Sequence, residues 1–173
     1  SIRTAQKIES LGYGALWLPE TVGKDPLTTS SLLLSVTTKL NLATGIVNIY
    51  HREPGVMLAA QKTLAEQSQN RFILGMGVSH KPLVEGVRGL EYGPPVKTMR
   101  DYLSKMEASP YTGIACSEKP TTLIAALGPK MLELAAEKTD GAHPYFTSPE
   151  HTEFARKILG KDKKLCVEQK VML

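Results

Sequence analysis

The sequence predicts an α/β fold of the (β/α)8 TIM-barrel type, incomplete, with about six β/α units visible. Three segments carry this prediction, because each is an apolar run that ends in glycine or polar residues and precedes a helical pattern. They are residues 14–20 (GALWLPE), 41–48 (NLATGIVN) and 71–80 (RFILGMGVSH). Since such barrels place their chemistry on the loops after the strands, we expect a site around Glu20, Gly45, His80 and Gly128.

The pattern assigns elements in order along a single domain, residues 1–173. The strands are apolar on both faces, as a parallel sheet covered by helices requires. We expect strands at residues 15–18, 41–50, 72–76, 121–127, 142–146 and 165–173. Helices are predicted at residues 1–11, 26–40, 54–70, 96–108, 129–138 and 149–159.

Local signals support these boundaries. Asp25 and Ser148 are good N-caps, and each precedes a proline, which is favoured at the first helical position. Residues 78–95 are rich in glycine and proline, too irregular for a helix and too long for a minimal connection. We therefore expect a functional loop there.

Composition excludes several classes of function. The formal charge is +4, but the basic residues are scattered, so a nucleic-acid surface is not expected. No apolar run is long enough to cross a bilayer, so no membrane partner is expected. Cys116 and Cys166 belong to no C-x-x-C motif, which argues against a metal site and indicates reduced thiols in a cytoplasmic protein.

Two glycine positions are suited to ligand binding. Gly128, Pro129 and Lys130 lie between a strand and a helix, where free N–H groups, the helix dipole and the lysine favour a phosphate. The alternative is that these residues only make a tight connection. Gly45 lies inside a strand, which indicates a bulge or close approach of another group, the alternative being room for a neighbouring side chain.

The third segment adds a histidine and two glycines. Gly75 and Gly77 resemble half of a dinucleotide fingerprint, but the third glycine and the following helix are missing, so a Rossmann assignment fails. We expect these glycines to give a cofactor room. His80 is the leading candidate for acid/base work, because an imidazole exchanges protons near neutral pH; the alternative is an exposed loop histidine.

Taken in their order along the chain, the strand and helix segments resemble the luciferase-like monooxygenase superfamily over essentially the whole sequence. The most specific pieces are residues 11–20, 43–46, 70–77 and 126–136, together with Asp140-Gly141. Residues 77–86 and 140–145 are most similar to the F420-dependent oxidoreductases of that superfamily. The resemblance implies that the visible strands are the second to seventh of a family barrel, and that the chain is partial.

The resemblance also assigns site residues. It implies a non-proline cis peptide at Gly45-Ile46 behind the cofactor ring, and an acidic group, Glu20, that approaches the ring. Thr21 departs from the histidine that many F420 enzymes have there. The other implied cofactor-binding residues are Gly77, Ser79, Ala126, Leu127, Gly128, Pro129 and Lys130. Second-tier rim candidates are Asn48, His51, Arg52, Glu85, Arg88 and His143, whereas Trp17 is assigned to the barrel core.

The resulting hypothesis is an oxidoreductase that transfers hydride between coenzyme F420 and a small organic substrate, with His80 and Glu20 as catalytic residues. An FMN-dependent monooxygenase is the close alternative. A non-catalytic flavin-binding protein or an inactive fragment is the alternative from another class. No metal is expected, and a homo-oligomer is expected because an incomplete barrel leaves strand edges to cover.

Overall fold

Helices and short parallel strands alternate along residues 1–171, the part of the chain that the computed structural model describes. The α-helices are α1 (Ile2–Ser10), α2 (Pro26–Ser35), α3 (Pro54–Gln67), α4 (Pro95–Ala108), α5 (Pro129–Lys138) and α6 (Pro149–Leu159). The strands are β1 (Ala15–Leu18), β2 (Asn41–Thr44), β3 (Val47–Asn48), β4 (Phe72–Gly77), β5 (Thr121–Ile124), β6 (Gly141–Ala142) and β7 (Lys164–Leu165).

The strands form one sheet in the order β1-β2-β4-β5-β6-β7, with every pairing parallel. β3 lies after β2 and also pairs with β4, so the two are parts of one strand position. Six strand positions, each linked to the next through a helix, confirm the predicted incomplete barrel of about six β/α units.

The core lies between the sheet and the helices. Phe72, Leu74 and Met76 alternate along β4 and are completely buried, because they face the helical layer. The residues between them face the other side of the sheet, which is the inside of the barrel wall. Trp17, assigned to the barrel core from the sequence, is on that inner side and is half-buried.

The helix starts follow the predicted capping chemistry. Asp25 accepts a hydrogen bond from the backbone N–H of Thr28 at 2.7 Å, and Ser148 accepts one from His151 at 3.4 Å. Both helices have proline at the first position. The predicted ends were less accurate: α2 stops at Ser35 rather than residue 40, and α3 at Gln67 rather than residue 70.

Several strands are shorter than predicted. The expected strand at residues 41–50 is interrupted at Gly45-Ile46 and ends in a 3₁₀ turn, Ile49–His51. The expected strands at 142–146 and 165–173 pair regularly only through β6 and β7, and meet again at a single bridge between Tyr145 and Glu168. Residues 172 and 173 lie outside the described part of the chain. The segment 78–95, expected to be irregular, contains one π-helical turn, Pro82–Val87. The expectation of a purely irregular loop was therefore wrong.

Candidate functional site

The carboxyl end of β2 carries a bulge. Ala43 pairs with Ile73, and Val47 pairs with Met76. An advance of four residues from β2 to β3 therefore matches an advance of three residues along β4. The extra residue is accommodated at the Gly45-Ile46 peptide, which is cis. The cis bond expected at this position is therefore confirmed.

The glycines of β4 fit this bulge. A methyl group on Gly75 would overlap the backbone oxygen of Thr44, and one on Gly77 would lie 2.7 Å from Cδ1 of Ile46. The Thr44 hydroxyl also bridges the backbone of Gly75, donating to its oxygen at 2.8 Å and accepting from its N–H at 2.9 Å. The space on the Cβ side of Gly75 and Gly77 is thus filled by the protein, and the expectation that these glycines give a cofactor room stays a prediction.

Glu20 lies in a network of polar contacts just past β1. Its side chain is 6% exposed, and its Oε1 lies 2.7 Å from Nη2 of Arg52. Its Oε2 accepts the backbone N–H of Asn48 at 2.7 Å and lies 3.3 Å from Nδ1 of His51. Arg52 also binds Asp25, the N-cap of α2. Both oxygens of Glu20 are therefore engaged.

The charges in this network act on each other. Burial by itself lowers the pKa of Arg52, but hydrogen bonds and charges from Glu20 and Asp25 outweigh burial and raise that pKa. Burial raises the pKa of Asp25, but the backbone N–H of Thr28 and the charge of Arg52 lower it below its ordinary value. The network thus holds both ends of the Arg52–Asp25 pair in their charged forms.

His80 lies past β4, on the exposed surface. Its backbone oxygen accepts the N–H groups of Leu83 and Val84, each at 3.0 Å, and so starts the π-helical turn. Ser79 before it has a positive φ of 57°, and its backbone oxygen accepts the hydroxyl of Tyr92 at 3.3 Å. The side chain of His80 is thus exposed at the rim.

The start of α5 is open to a ligand. Gly128 is its N-cap and offers no side chain, the first turn contains no acidic residue, and Leu127, Gly128, Pro129 and Lys130 are all exposed. Ala126, just before them, is buried. Pro129 has no N–H group and the Met131 N–H donates to the Gly128 oxygen at 3.2 Å, so the Lys130 N–H and the exposed Lys130 side chain are the groups of this first turn that could meet an anion.

Trp17 and His143 form a stacked pair on the inner side of the sheet. Their ring centroids are 4.3 Å apart and their planes are nearly parallel, at 9°. A methyl group on Gly45 would lie 2.9 Å from Nε2 of His143 and 3.3 Å from Cε3 of Trp17. Gly45 therefore has both of the roles considered from the sequence, because it belongs to the bulge and also admits a neighbouring side chain.

The structure thus brings the predicted residues together in separate groups. In the first group, Ile46 follows Gly45 in the chain and its side chain packs against Gly77. In the second group, Glu20 contacts three rim candidates, which are Asn48, His51 and Arg52. Of the other rim candidates, Arg88 donates to the backbone oxygen of Thr21 at 3.0 Å, and Glu85 accepts the N–H of Tyr92 at 3.3 Å. The pairing of His143 with Trp17 was missed, because the two residues are remote in sequence and no local motif joins them.

A family model described as luciferase-like monooxygenase matches residues 1–159. The chain belongs to the luciferase-like monooxygenase family. Among curated members of this family, a Mycobacterium tuberculosis protein provisionally named a coenzyme F420-dependent oxidoreductase is 30% identical over 171 residues, covering 82% of this chain and 49% of that protein. This luciferase-like chain thus spans about half the length of that relative.

Solved structures show the same fold. An F420-dependent secondary alcohol dehydrogenase, in complex with an F420-acetone adduct, has a TM-score of 0.78 at 16% identity, over 96% of this chain and 63% of its own. A type II Baeyer-Villiger monooxygenase from Pseudomonas putida, in complex with FMN, has a TM-score of 0.75 at 15% identity, over 91% of this chain and 55% of its own. Relatives of this luciferase-like chain therefore include F420 proteins and an FMN protein.

Membrane spans and metal clusters are both absent from the described residues. Within residues 1–171, no helix is both long and apolar enough to span a bilayer. Across the same residues, His, Cys, Asp and Glu side chains do not gather in groups of three that could hold a metal ion. Cys116 and Cys166 are free thiols.

Proposed function

We propose that this chain forms the cofactor-binding part of an F420-dependent oxidoreductase that transfers hydride between coenzyme F420 and a small organic substrate. The observation that carries the proposal is the exposed start of α5, which has no side-chain cap and no acidic residue but has Lys130 in its first turn. It accompanies a cis bulge in the same sheet. Family membership and the provisional F420 name of the mycobacterial relative support the choice of cofactor.

The residues present fit a phosphate-bearing cofactor. Pro129 has no N–H group, but the N–H of Lys130 has no partner within the first turn of the helix, and the positive end of the helix dipole adds to the charge of Lys130. We propose that Ala126, Leu127, Gly128, Pro129 and Lys130 hold the phosphate. Gly45, Ile46, Gly77 and Ser79 would support the ring, with the Ile46 side chain packed on Gly77.

The bound cofactor would supply the two-electron chemistry, and the protein would orient it and manage protons. Glu20 is held by Arg52 and Asn48, so we propose that it acts as a fixed negative charge and positions the loop after β3. His80 is exposed at the rim, so we propose that it exchanges a proton with the substrate. Glu20 thus takes part through its charge and His80 through proton transfer.

The test is a parallel binding titration of the purified chain with coenzyme F420 and with FMN. We expect F420 to bind more tightly, and Lys130→Gln to weaken binding by about tenfold, the effect of losing one charge-assisted contact of about 1.4 kcal/mol. Lys105→Gln is the matched control, because Lys105 is an exposed lysine in the last turn of α4. It should bind like the wild type.

Each other outcome has a meaning. Preference for FMN would move the assignment to a flavin-dependent monooxygenase, which the FMN-bound structural relative favours. Failure to bind either cofactor would contradict the proposal and leave the alternative of an inactive fragment. Equal losses in the Lys130 and Lys105 variants would show that the start of α5 is not the phosphate site.

We also propose that the chain self-associates in the cytoplasm. β1 and β7 are the outer strands of the described sheet, and a cleft of about 490 Å³ beside β1 is lined in part by Leu16, Leu18 and Leu33. An uncovered strand edge next to apolar side chains favours association. Sedimentation velocity would measure it, and a monomer at all concentrations would contradict it.

A further inference from the structure

His143 is a buried histidine whose two ring nitrogens have different surroundings. Its side chain is 5% exposed, and Nδ1 lies 2.7 Å from the backbone oxygen of Cys166. A carbonyl oxygen only accepts hydrogen bonds, so Nδ1 carries the hydrogen whether the ring is neutral or charged. The neutral ring therefore has its lone pair on Nε2.

Nε2 of His143 is shielded from solvent and has no hydrogen-bond partner within residues 1–171. Its nearest ionisable neighbour is Glu168, whose Oε2 lies 3.5 Å away, and an ionised carboxylate cannot donate to a lone pair. A buried acceptor without a donor is costly. Protonation of Nε2 would place a positive charge 3.5 Å from Oε2 of Glu168, within ion-pair distance.

Other groups on the neighbouring elements complete the surroundings of His143. Trp17 lies flat against the imidazole, and a cation over an indole face is stabilised. Glu20, after β1, is already held by Arg52. Lys170, beyond Glu168, lies over the rings of Tyr145 and Phe146. The thiol of Cys166 has its pKa raised by burial. Glu168 is therefore the charge that acts most directly on His143.

We propose that Trp17, His143 and Glu168 form a proton-binding unit directly behind the Gly45-Ile46 bulge, with His143 as a positioning residue that places a positive charge under the bound ring. The proton comes from solvent past Glu168, whose side chain is 40% exposed. It forms the Nε2–H bond, and no electron is transferred. The ligand that this charge favours is a planar ring in an anionic form. The role of His143 toward a bound ring therefore rests on the proposed function, whereas proton binding by the three residues does not.

The first measurement uses the protein without cofactor. Trp17 is the only tryptophan of the chain, and an imidazolium stacked on an indole quenches its fluorescence. We expect the emission to fall along a single-proton titration as the pH is lowered. His143→Asn keeps an amide that can donate to the Cys166 oxygen but lacks Nε2, and it should lose the titration. Glu168→Gln should shift the midpoint to lower pH.

His151→Asn is the matched control, since His151 also has a ring nitrogen near a backbone oxygen, at 2.7 Å from that of Leu127, but meets Phe154 edge-on and does not contact Trp17. It should titrate like the wild type. Long-range ¹H–¹⁵N spectra of the wild type, which has four histidines, and of His143→Asn would assign the His143 signal as the one that the variant lacks. A titration that persists in His143→Asn, or a His143 signal that never gains a proton, would overturn the proposal.

The second measurement is binding of the F420 and FMN ring systems as a function of pH. Affinity for the anionic, reduced form of the ring should rise as the fluorescence falls, and this link should vanish in His143→Asn. Binding that does not follow the titration would overturn the role of His143 toward the ring. If neither cofactor binds at any pH, the proposed function fails, and the fluorescence titration alone decides whether the three residues bind the proton.

Discussion

At the carboxyl end of the sheet, the region of β1–β4 and the region after β5 differ in how completely neighbouring residues fill the space and pair the polar side chains. On the β1–β4 side, the space beside Gly75 and Gly77 is filled by Thr44 and Ile46, and Glu20 is held by Arg52. On the β5 side, a methyl group added to Gly128 would meet nothing within 4 Å, and Lys130 is exposed. One side is packed and the other is open.

The difference separates structural roles from binding roles. A filled glycine position or a paired carboxylate supports the shape of the loops, and changing it alters the fold. The open helix start beside the exposed Lys130 adds nothing to packing, so under the proposed function a change there should alter binding and leave the fold intact. The two glycines of β4 belong to the packed side.

The largest expected effect compares one glycine from each side. Gly75→Ala should destabilise the fold by more than about 3 kcal/mol, because its methyl group would overlap the Thr44 backbone oxygen, which cannot move aside as a flexible side chain could. Gly128→Ala should cost less than about 1 kcal/mol, the small preference for glycine over alanine at an N-cap. Urea unfolding followed by circular dichroism measures both. Similar losses in the two variants would contradict the division into sides.

A smaller effect compares one cation from each side. Arg52→Met should cost about 3 kcal/mol, because it leaves Glu20, 6% exposed, without its partner. Lys130→Met should leave the free energy of unfolding almost unchanged, since Lys130 is exposed. The same urea unfolding experiment applies. A stable Arg52→Met protein would show that Asn48 and His51 suffice to hold Glu20.

The smallest expected effect is a pH-dependent loss of stability on the packed side, at the Asp25–Arg52 pair. Asp25→Asn keeps a good N-cap but removes the charge next to Arg52. The folded-state pKa of Asp25 is lowered, so its contribution is present above the unfolded value of about 3.9 and is lost as the pH falls through the folded value. We expect a cost below about 1 kcal/mol at pH 7, because the side chain is 42% exposed. The cost should become smaller as the pH falls below about 3.9, as unfolding curves at pH 7 and pH 3 would show; an equal cost at both would exclude the charge as its source.

Much of the fold could be predicted from the sequence. Apolar runs and proline-containing caps located the helices, and the strand at residues 15–18 was predicted with the bounds observed. Strand lengths were less predictable, because residues 143–146 and 166–171 lie beyond β6 and β7 and are joined by a single bridge, between Tyr145 and Glu168. Tyr145 and Phe146 are apolar but exposed, so an apolar residue does not by itself mark a paired strand position.

The candidate site divides in the same way. The sequence by itself determined the family, through several segments in a fixed order, and the resemblance to that family implied the cis position at Gly45-Ile46. The glycine-proline start of α5 depends on neighbouring residues in one segment. Only the tertiary structure decided that Glu20 binds Arg52 and that His143 stacks on Trp17. Those contacts join residues far apart in sequence, and they form only when parallel strands bring their carboxyl ends to one edge of the sheet.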